Sequence, residues 1–310
     1  MTTVFMIDGG AGRAIAAIPA LLKFHRLNPK KDFRVLVYGW DALYWGIPEL
    51  HERSFNPEQK GAFEQFLLDA DEVISPEPYR VPGYYKREKS LAEAFDYLIN
   101  KTDDHSDLGV PVLKTNRQEE LNAANFMQEV KQKQQKQKTI VIQPFGRSVE
   151  RPRPDTVLDA SSRSINPDVY LKLVKKLSAK YNLVLFTEKN FWMEQDTFTM
   201  KPEADLRNWV SFIDAADYFI GCDSVGQHMA RAVGTPGTVI LGSTFAVNTS
   251  YPDYFNIIER DTKKEYSPIR ISGLESHLAD RVNEATVEFT DDEINAVYAN
   301  IVKDIEKKVK

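Results

Sequence analysis

At 310 residues, the chain exceeds what one small core needs, and a prior of roughly 100–200 residues per domain points to two domains. Apolar residues at 42% and charged residues at 27% exclude a disordered, fibrous or membrane chain, and no run nears the ~18 apolar residues of a membrane span. A net charge of −5 and a single cysteine, Cys222, argue against a broadly basic surface, an internal disulfide and a zinc site, and the absence of a secretory signal makes the cytoplasm the expected compartment.

Thr2 to Ile7 reads as a short apolar strand, followed by the turn Asp8-Gly9-Gly10-Ala11-Gly12 and an Ala-, Ile- and Leu-rich helix through Leu22. Phe33 to Tyr38 and Glu72 to Ser75 read as further buried strands. Strands alternating with helices favour a parallel sheet covered on both faces. From Glu119 to Lys138 glycine and proline are nearly absent and the segment ends in the polar run KQKQQKQK, which predicts a solvated helix leading into a linker. The alternation then restarts, with strands expected at Thr139 to Gln143, Asn182 to Thr187, Asp217 to Gly221 and Thr238 to Gly242. The predicted organisation is a Rossmann-like domain over 1–137 and a second over 138–288, two doubly wound α/β units facing across a cleft. Ile294, Val297, Ile301 and Ile305 recur at helical spacing, so 289–310 is an amphipathic helix that packs on one unit or crosses back to the first.

The densest signal runs from Asp217 to Thr244. A buried strand ends at Asp223 and a helix starts at once, because Asp and Ser are strong N-caps; Gly234 and Pro236 close it. A helix N-terminus at the carboxyl end of a parallel strand is where open α/β sheets place ligands, and its free amides suit a phosphate. Ser224 and His228, one helical turn apart, share a face and are expected to look toward the same anion. The Gly242-Ser243-Thr244 turn after the next strand would line the same pocket.

This stretch resembles the donor-binding signature of the ADP-heptose:lipopolysaccharide heptosyltransferases, glycosyltransferase family 9. There Asp-Thr-Gly-x-x-His leads into an Ala-rich helix, Gly-x-Pro, a strand and Gly-x-Thr. Asp223, Ser224, His228, Ala230, Ala232, Gly234, Pro236, Gly242 and Thr244 fit this pattern. Gly12 to Leu21 looks like the family's first turn and helix, and Ile140 to Gly146 followed by Arg163 to Tyr170 looks like its strand, glycine loop and basic-residue helix start. The match touches both halves but is specific only from Asp217 to Thr244, and 55–126 matches nothing nameable. The resemblance implies the two-domain GT-B fold and a nucleotide-sugar donor held mainly by the C-terminal unit.

Two positions depart from the family. The aspartate that acts there as general base is here Arg13, leaving Asp8, at the end of the first strand, as the nearest substitute, while Arg13 would suit a phosphate or an acidic acceptor. The glycine after Asp-Thr is Val225, with Gly226 next to it as compensation. By resemblance, donor contacts fall to Gly10, Gly12, Arg147, Arg163, Glu188, Asp223, Ser224, Val225, Gly226, His228, Ser243 and Thr244, with Glu188 on the ribose and the two arginines on the diphosphate. Tyr84, Tyr85, Lys86 and Arg87 interleave aromatic and basic groups that would grip an anionic acceptor.

The implied activity is metal-independent transfer of a sugar, with inversion, from a nucleotide-diphosphate donor to a hydroxyl of a glycan or glycolipid, with no cofactor beyond the donor. Two alternatives stay open: a transferase of the same fold acting on hydroxylated DNA bases, and a nucleotide-sugar-binding protein without catalysis. Gly10-x-Gly12 lacks the third glycine of a dinucleotide fingerprint, and neither a Gly-x-Ser-x-Gly elbow nor a P-loop occurs.

Overall fold

A computed structural model describes residues 2–146, 149–153, 156–159, 163–187, 199–259 and 288–309. The chain divides into two compact units at Asn116/Arg117.

The first unit opens with β1 (Thr2–Ile7), α1 (Ala11–Leu27), β2 (Asp32–Val37), β3 (Ser54–Phe55) and β4 (Glu72–Ile74), followed by the short α2 (Pro82–Tyr85) and by α3 (Leu91–Asn100). All strand pairs are parallel, in the order β3-β2-β1-β4. The small residues of α1 let it lie close on the sheet, burying Ala14, Ile15, Ile18 and Leu21, and Phe24 packs edge-on to Phe5 and Phe33 at 4.8 and 5.6 Å. Ser90 and Glu93 form a reciprocal capping box that starts α3. The winding reverses between β1 and β4, so the carboxyl ends of those two strands flank the topological switch point.

The second unit comprises α4 (Arg117–Gln134), β5 (Thr139–Gln143), β6 (Val149–Arg153), β7 (Thr156–Asp159), α5 (Pro167–Leu177), β8 (Asn182–Leu185), α6 (Leu206–Asp214), β9 (Tyr218–Gly221), α7 (Val225–Val233), β10 (Gly237–Leu241), α8 (Ala246–Thr249), β11 (Asn256–Glu259) and α9 (Asp291–Lys308). Its five-stranded parallel sheet has the order β11-β10-β9-β5-β8, and β6 and β7 form a separate antiparallel hairpin. Ile140, Ile142, Leu183 and Ile220 join Val169, Leu173 and Leu177 of α5 and Ile294, Ile301 and Ile305 of α9 in one core. Phe126, Phe186, Trp209 and Phe212 form a second aromatic cluster involving α4 and α6. Here the winding reverses between β5 and β9.

One boundary and one linker differ from those read in the sequence. The expected break at 137/138 falls instead at 116/117, because α4 belongs to the second unit: Glu119 pairs with Arg207 at 2.8 Å, and Phe126 packs on Phe212. The polar run is not a free linker either. The Gln134 side chain donates to the Leu183 carbonyl at 2.9 Å and accepts the Leu183 N–H at 2.8 Å, pairing with the edge strand β8 as another strand would. The C-terminal helix packs within the second unit, started by a Thr290/Glu293 capping box.

Candidate functional site

In the first unit the β1–α1 turn is shaped by Gly9, whose φ of +91° and a Cβ position only 2.9 Å from the Arg13 Cδ admit no side chain. The Trp40 indole N–H holds the Gly9 carbonyl at 2.9 Å. Arg13, on the first turn of α1, is 5% exposed; its Nη1 lies 3.3 Å from both carboxylate oxygens of Glu77 and its Nη2 lies 2.9 Å from Asp8 Oδ1. The rings of Tyr79 and Phe95 flank the guanidinium at 5.0 and 5.9 Å. Asp8 follows β1 and Glu77 follows β4, so one arginine bridges two carboxylates across the switch point. Asp8 keeps 44% of its side chain exposed and Glu77 16%.

This corrects the reading of Arg13 as an anion receptor. Its charge is taken up by two carboxylates and its plane is buried, so it holds side chains rather than a ligand. Gly10 caps α1 and Gly12 lies in its first turn. Tyr84 is likewise not an acceptor contact: it is buried edge-on to Tyr79 at 5.4 Å. Tyr85 is half-buried, with its hydroxyl pKa raised by burial and by Glu77, while Lys86 and Arg87 are exposed.

In the second unit, Gln143 ends β5, and Asp223 and Ser224 lie between β9 and α7. Ser224 occupies the N-cap position but makes no cap hydrogen bond with its side chain; at φ −151° and ψ −178° its backbone is extended. The cap comes from across the sheet. Gln143 Oε1 accepts the Gly226 N–H at 2.7 Å, and Gln143 Nε2 donates to Ser224 Oγ at 3.1 Å. A Cβ on Gly226 would lie 2.3 Å from Gln143 Oε1 and 2.8 Å from the Phe219 ring. Gly226 therefore does not compensate for Val225 by offering its amide to a ligand, because that amide is already bonded. Ser224 and Val225 are the half-exposed members of this turn.

Asp223 and Gln227 are buried; Gln227 Nε2 bonds Asp223 Oδ1 at 3.3 Å and the Thr249 carbonyl at 3.0 Å. Among the described residues, Asp223 Oδ2 and Gln227 Oε1 have no hydrogen-bond partner. His228 is buried too, its Nδ1 2.9 Å from the Tyr251 hydroxyl. Burial drives its pKa down to about 4, against the pull of the Asp223 charge and with the help of Arg163, so the ring is neutral near pH 7. The imidazole expected to look toward an anion is thus a neutral hydrogen-bonding ring. Burial also raises the Cys222 thiol pKa, which keeps it protonated.

Arg163 is half-buried and near enough to influence both Cys222 and His228. Its loop is laced by Asp159, which accepts the Ser164 N–H and hydroxyl at 2.9 and 2.5 Å, while Ser164 Oγ accepts the Gly146 N–H at 3.0 Å. Ser243 and Thr244 are buried just past β10. Arg147 and Glu188 lie outside the described residues. A pocket of about 610 Å³, lined by Thr187, Lys201, Asp205, Leu206 and Trp209 among others, opens past β8. Since β8 and β9 are separated by β5 alone, strand spacing puts the two strand ends about 10 Å apart. Among the described residues no three His, Cys, Asp or Glu side chains gather as ligands for a metal ion, and no helix is long and apolar enough to cross a membrane.

The sequence reading missed Gln143, Glu77 and Gln227. For the first two the available signal was a polar residue ending, or closely following, an apolar strand.

No protein-family model matches the chain, and no curated protein matches it. Solved structures do match, and they define a fold class: two parallel α/β units of the GT-B type. The chain is similar to Escherichia coli ADP-heptose lipopolysaccharide heptosyltransferase II, at 13% identity over 98% of this chain and 99% of that one, with a TM-score of 0.65. The iron-containing dodecameric heptosyltransferase TibC from enterotoxigenic E. coli, in complex with ADP-D-β-D-heptose, aligns at 12% identity over 98% of this chain and 77% of that one (TM-score 0.61). A family 9 glycosyltransferase from Veillonella parvula aligns at 9% identity over 97% of both chains (TM-score 0.60).

Proposed function

We propose that the chain is a glycosyltransferase that takes a sugar from a nucleoside diphosphate and delivers it, in one inverting displacement, to a hydroxyl of a glycan or glycolipid, acting in the cytoplasm and without a metal. The observation that carries this is the partnerless carboxylate oxygen Asp223 Oδ2, next to the half-exposed Ser224 at the start of α7 and at a topological switch point. Buried acceptors left open want hydroxyl or amine donors, which a sugar supplies. The amide dipoles at the start of α7 and the Arg163 charge favour the diphosphate that the sugar leaves behind. The pocket past β8 lies at the distance a nucleoside reaches from its own phosphates. The neighbours' fold and the ADP-heptose held by TibC support a donor of this type and make ADP-sugars the first to test.

In the reaction, the departing diphosphate gains charge, which fixed amides and an arginine stabilise without reorganising. The acceptor hydroxyl must lose a proton as it attacks, and Asp8 is the carboxylate for that step: it is half-exposed, fixed in direction by Arg13, and at the end of β1. Arg13 and Glu77 orient it rather than touch substrate.

A panel of nucleoside diphosphate sugars, read by thermal shift, tests the reading. One donor is expected to raise Tm on the wild type and to lose affinity on Asp223→Asn, with the variant still folded. Asp8→Asn is expected to bind that donor normally and to turn over about 100-fold more slowly or worse. A panel with no stabilising donor, or unchanged affinity on Asp223→Asn, contradicts the site; tight donor binding without turnover on any hydroxylated acceptor identifies a binding protein instead.

A further inference from the structure

We propose that Gln143 is a positioning residue for the diphosphate, because it sets the direction in which the Ser224 hydroxyl points its proton. The inference rests on reading the β5/β9 switch point as the diphosphate site.

The amide of Gln143 has one orientation available. The Gly226 N–H can only donate, so the Gln143 oxygen must face it at 2.7 Å and the –NH₂ must face Ser224 Oγ at 3.1 Å. A serine hydroxyl has one proton and two lone pairs. With one lone pair taken by Gln143 Nε2, the O–H bond is turned away from that amide. The second lone pair is not spent on capping α7 either, because the Ser224 oxygen accepts no cap bond and the Gly226 N–H is bonded to Gln143. Gly146 leaves the neighbouring space open: even a Cβ built there would stand 4.0 Å from Ser224 Oγ. Ser224 is half-exposed while Gln143 is buried, so an anionic oxygen reaches the hydroxyl and not the amide. Gln143 thus reaches the ligand only through Ser224, as the donor that commits the serine to donating outward. Gly226 is part of the device, since any side chain there would displace the Gln143 oxygen.

A double-mutant cycle on the full chain, read by calorimetric titration with ADP, tests this. Gln143→Leu is expected to weaken ADP binding about 10-fold in the wild-type background, the size of one hydrogen bond to a charged group. In a Ser224→Ala background the same change is expected to matter less than about 2-fold, because the path through the hydroxyl is already gone. Equal losses in both backgrounds, or no loss in either, overturn the proposal, for then Gln143 only caps α7 or does nothing for the ligand. If Gln143→Leu fails to fold, Gln143→Glu enters the same cycle: it keeps the acceptor for Gly226, and its added charge acts in both backgrounds, so the non-additive part still reads the hydroxyl. A wild type that binds none of ADP, UDP, GDP and CDP fails at the first titration and overturns the diphosphate site together with this inference; a wild type that binds ADP with an additive cycle overturns this inference alone.

Discussion

Arg13 shows how one substitution changes the chemistry of a turn. A guanidinium in the first turn of α1 opposes the helix dipole, and it is tolerated because Asp8 and Glu77 both pair with it and two rings cover it. Arg13→Met is therefore expected to lower stability by about 3–5 kcal/mol, measured by urea unfolding, since carboxylates gathered around a lost cation repel each other; a change below about 1 kcal/mol would mean that the pairs are solvated and weak. His228 gives a pH signature. Its folded pKa of about 4 lies below the ordinary 6.5, so between those values the unfolded chain binds a proton that the folded chain refuses, and stability rises with pH. Acidification from 6.5 to 4 is expected to remove about 2–3 kcal/mol through this residue. His228→Gln should flatten that part of the urea-midpoint profile, and an unchanged slope would show that the ring is already charged. Neither feature could be read along the chain: Arg13 looked like a free anion receptor until Glu77, 64 residues on, came beside it.

At the scale of elements, the start of α7 is the instructive case. Asp-Ser after a strand reads as a self-capped helix, yet the cap is Gln143 on a neighbouring strand, and no local pattern encodes a partner that only strand pairing brings near. Gly226→Ala is expected to cost about 1–3 kcal/mol in unfolding free energy, because the new methyl meets the Gln143 oxygen and the Phe219 ring; a neutral outcome would mean that β5 and α7 slide apart freely. The strands that were legible are apolar runs bounded by turn residues, such as TTVFMI and TIVIQ. Those missed have too little apolar pattern to register: two residues in β3, a polar VERPR in β6, and four residues each in β7 and β11. The C-terminal helix was legible from its apolar stripe; the Thr290–Glu293 capping box that starts it emerged only from the structure. Thr290→Ala should lower the unfolding free energy by roughly 1 kcal/mol, the size of a lost cap, measured by urea unfolding, and no change would mean that the packing of Ile294 and Ile301 alone sets that end.

Across the whole molecule, two parallel sheets of different strand order each put their polar cluster at a switch point: Asp8, Arg13 and Glu77 in one, Gln143, Asp223 and Ser224 in the other. The sequence carried Asp8, Asp223 and Ser224 because a polar residue at the carboxyl end of a buried strand is conspicuous, but Glu77 and Gln143 were missed. It did not carry the division between the units, since α4 is joined to the second through a Glu119–Arg207 pair and a ring contact that are both remote in sequence. The central claim is that a nucleoside diphosphate sits against the first turn of α7. Hydrogen exchange on the full chain, with and without saturating ADP, reads this directly in the peptide spanning 222–233. Slowed exchange there is the expected result. If calorimetry shows ADP bound while that peptide exchanges unchanged and another part of the chain slows, the diphosphate site lies elsewhere and the claim is wrong.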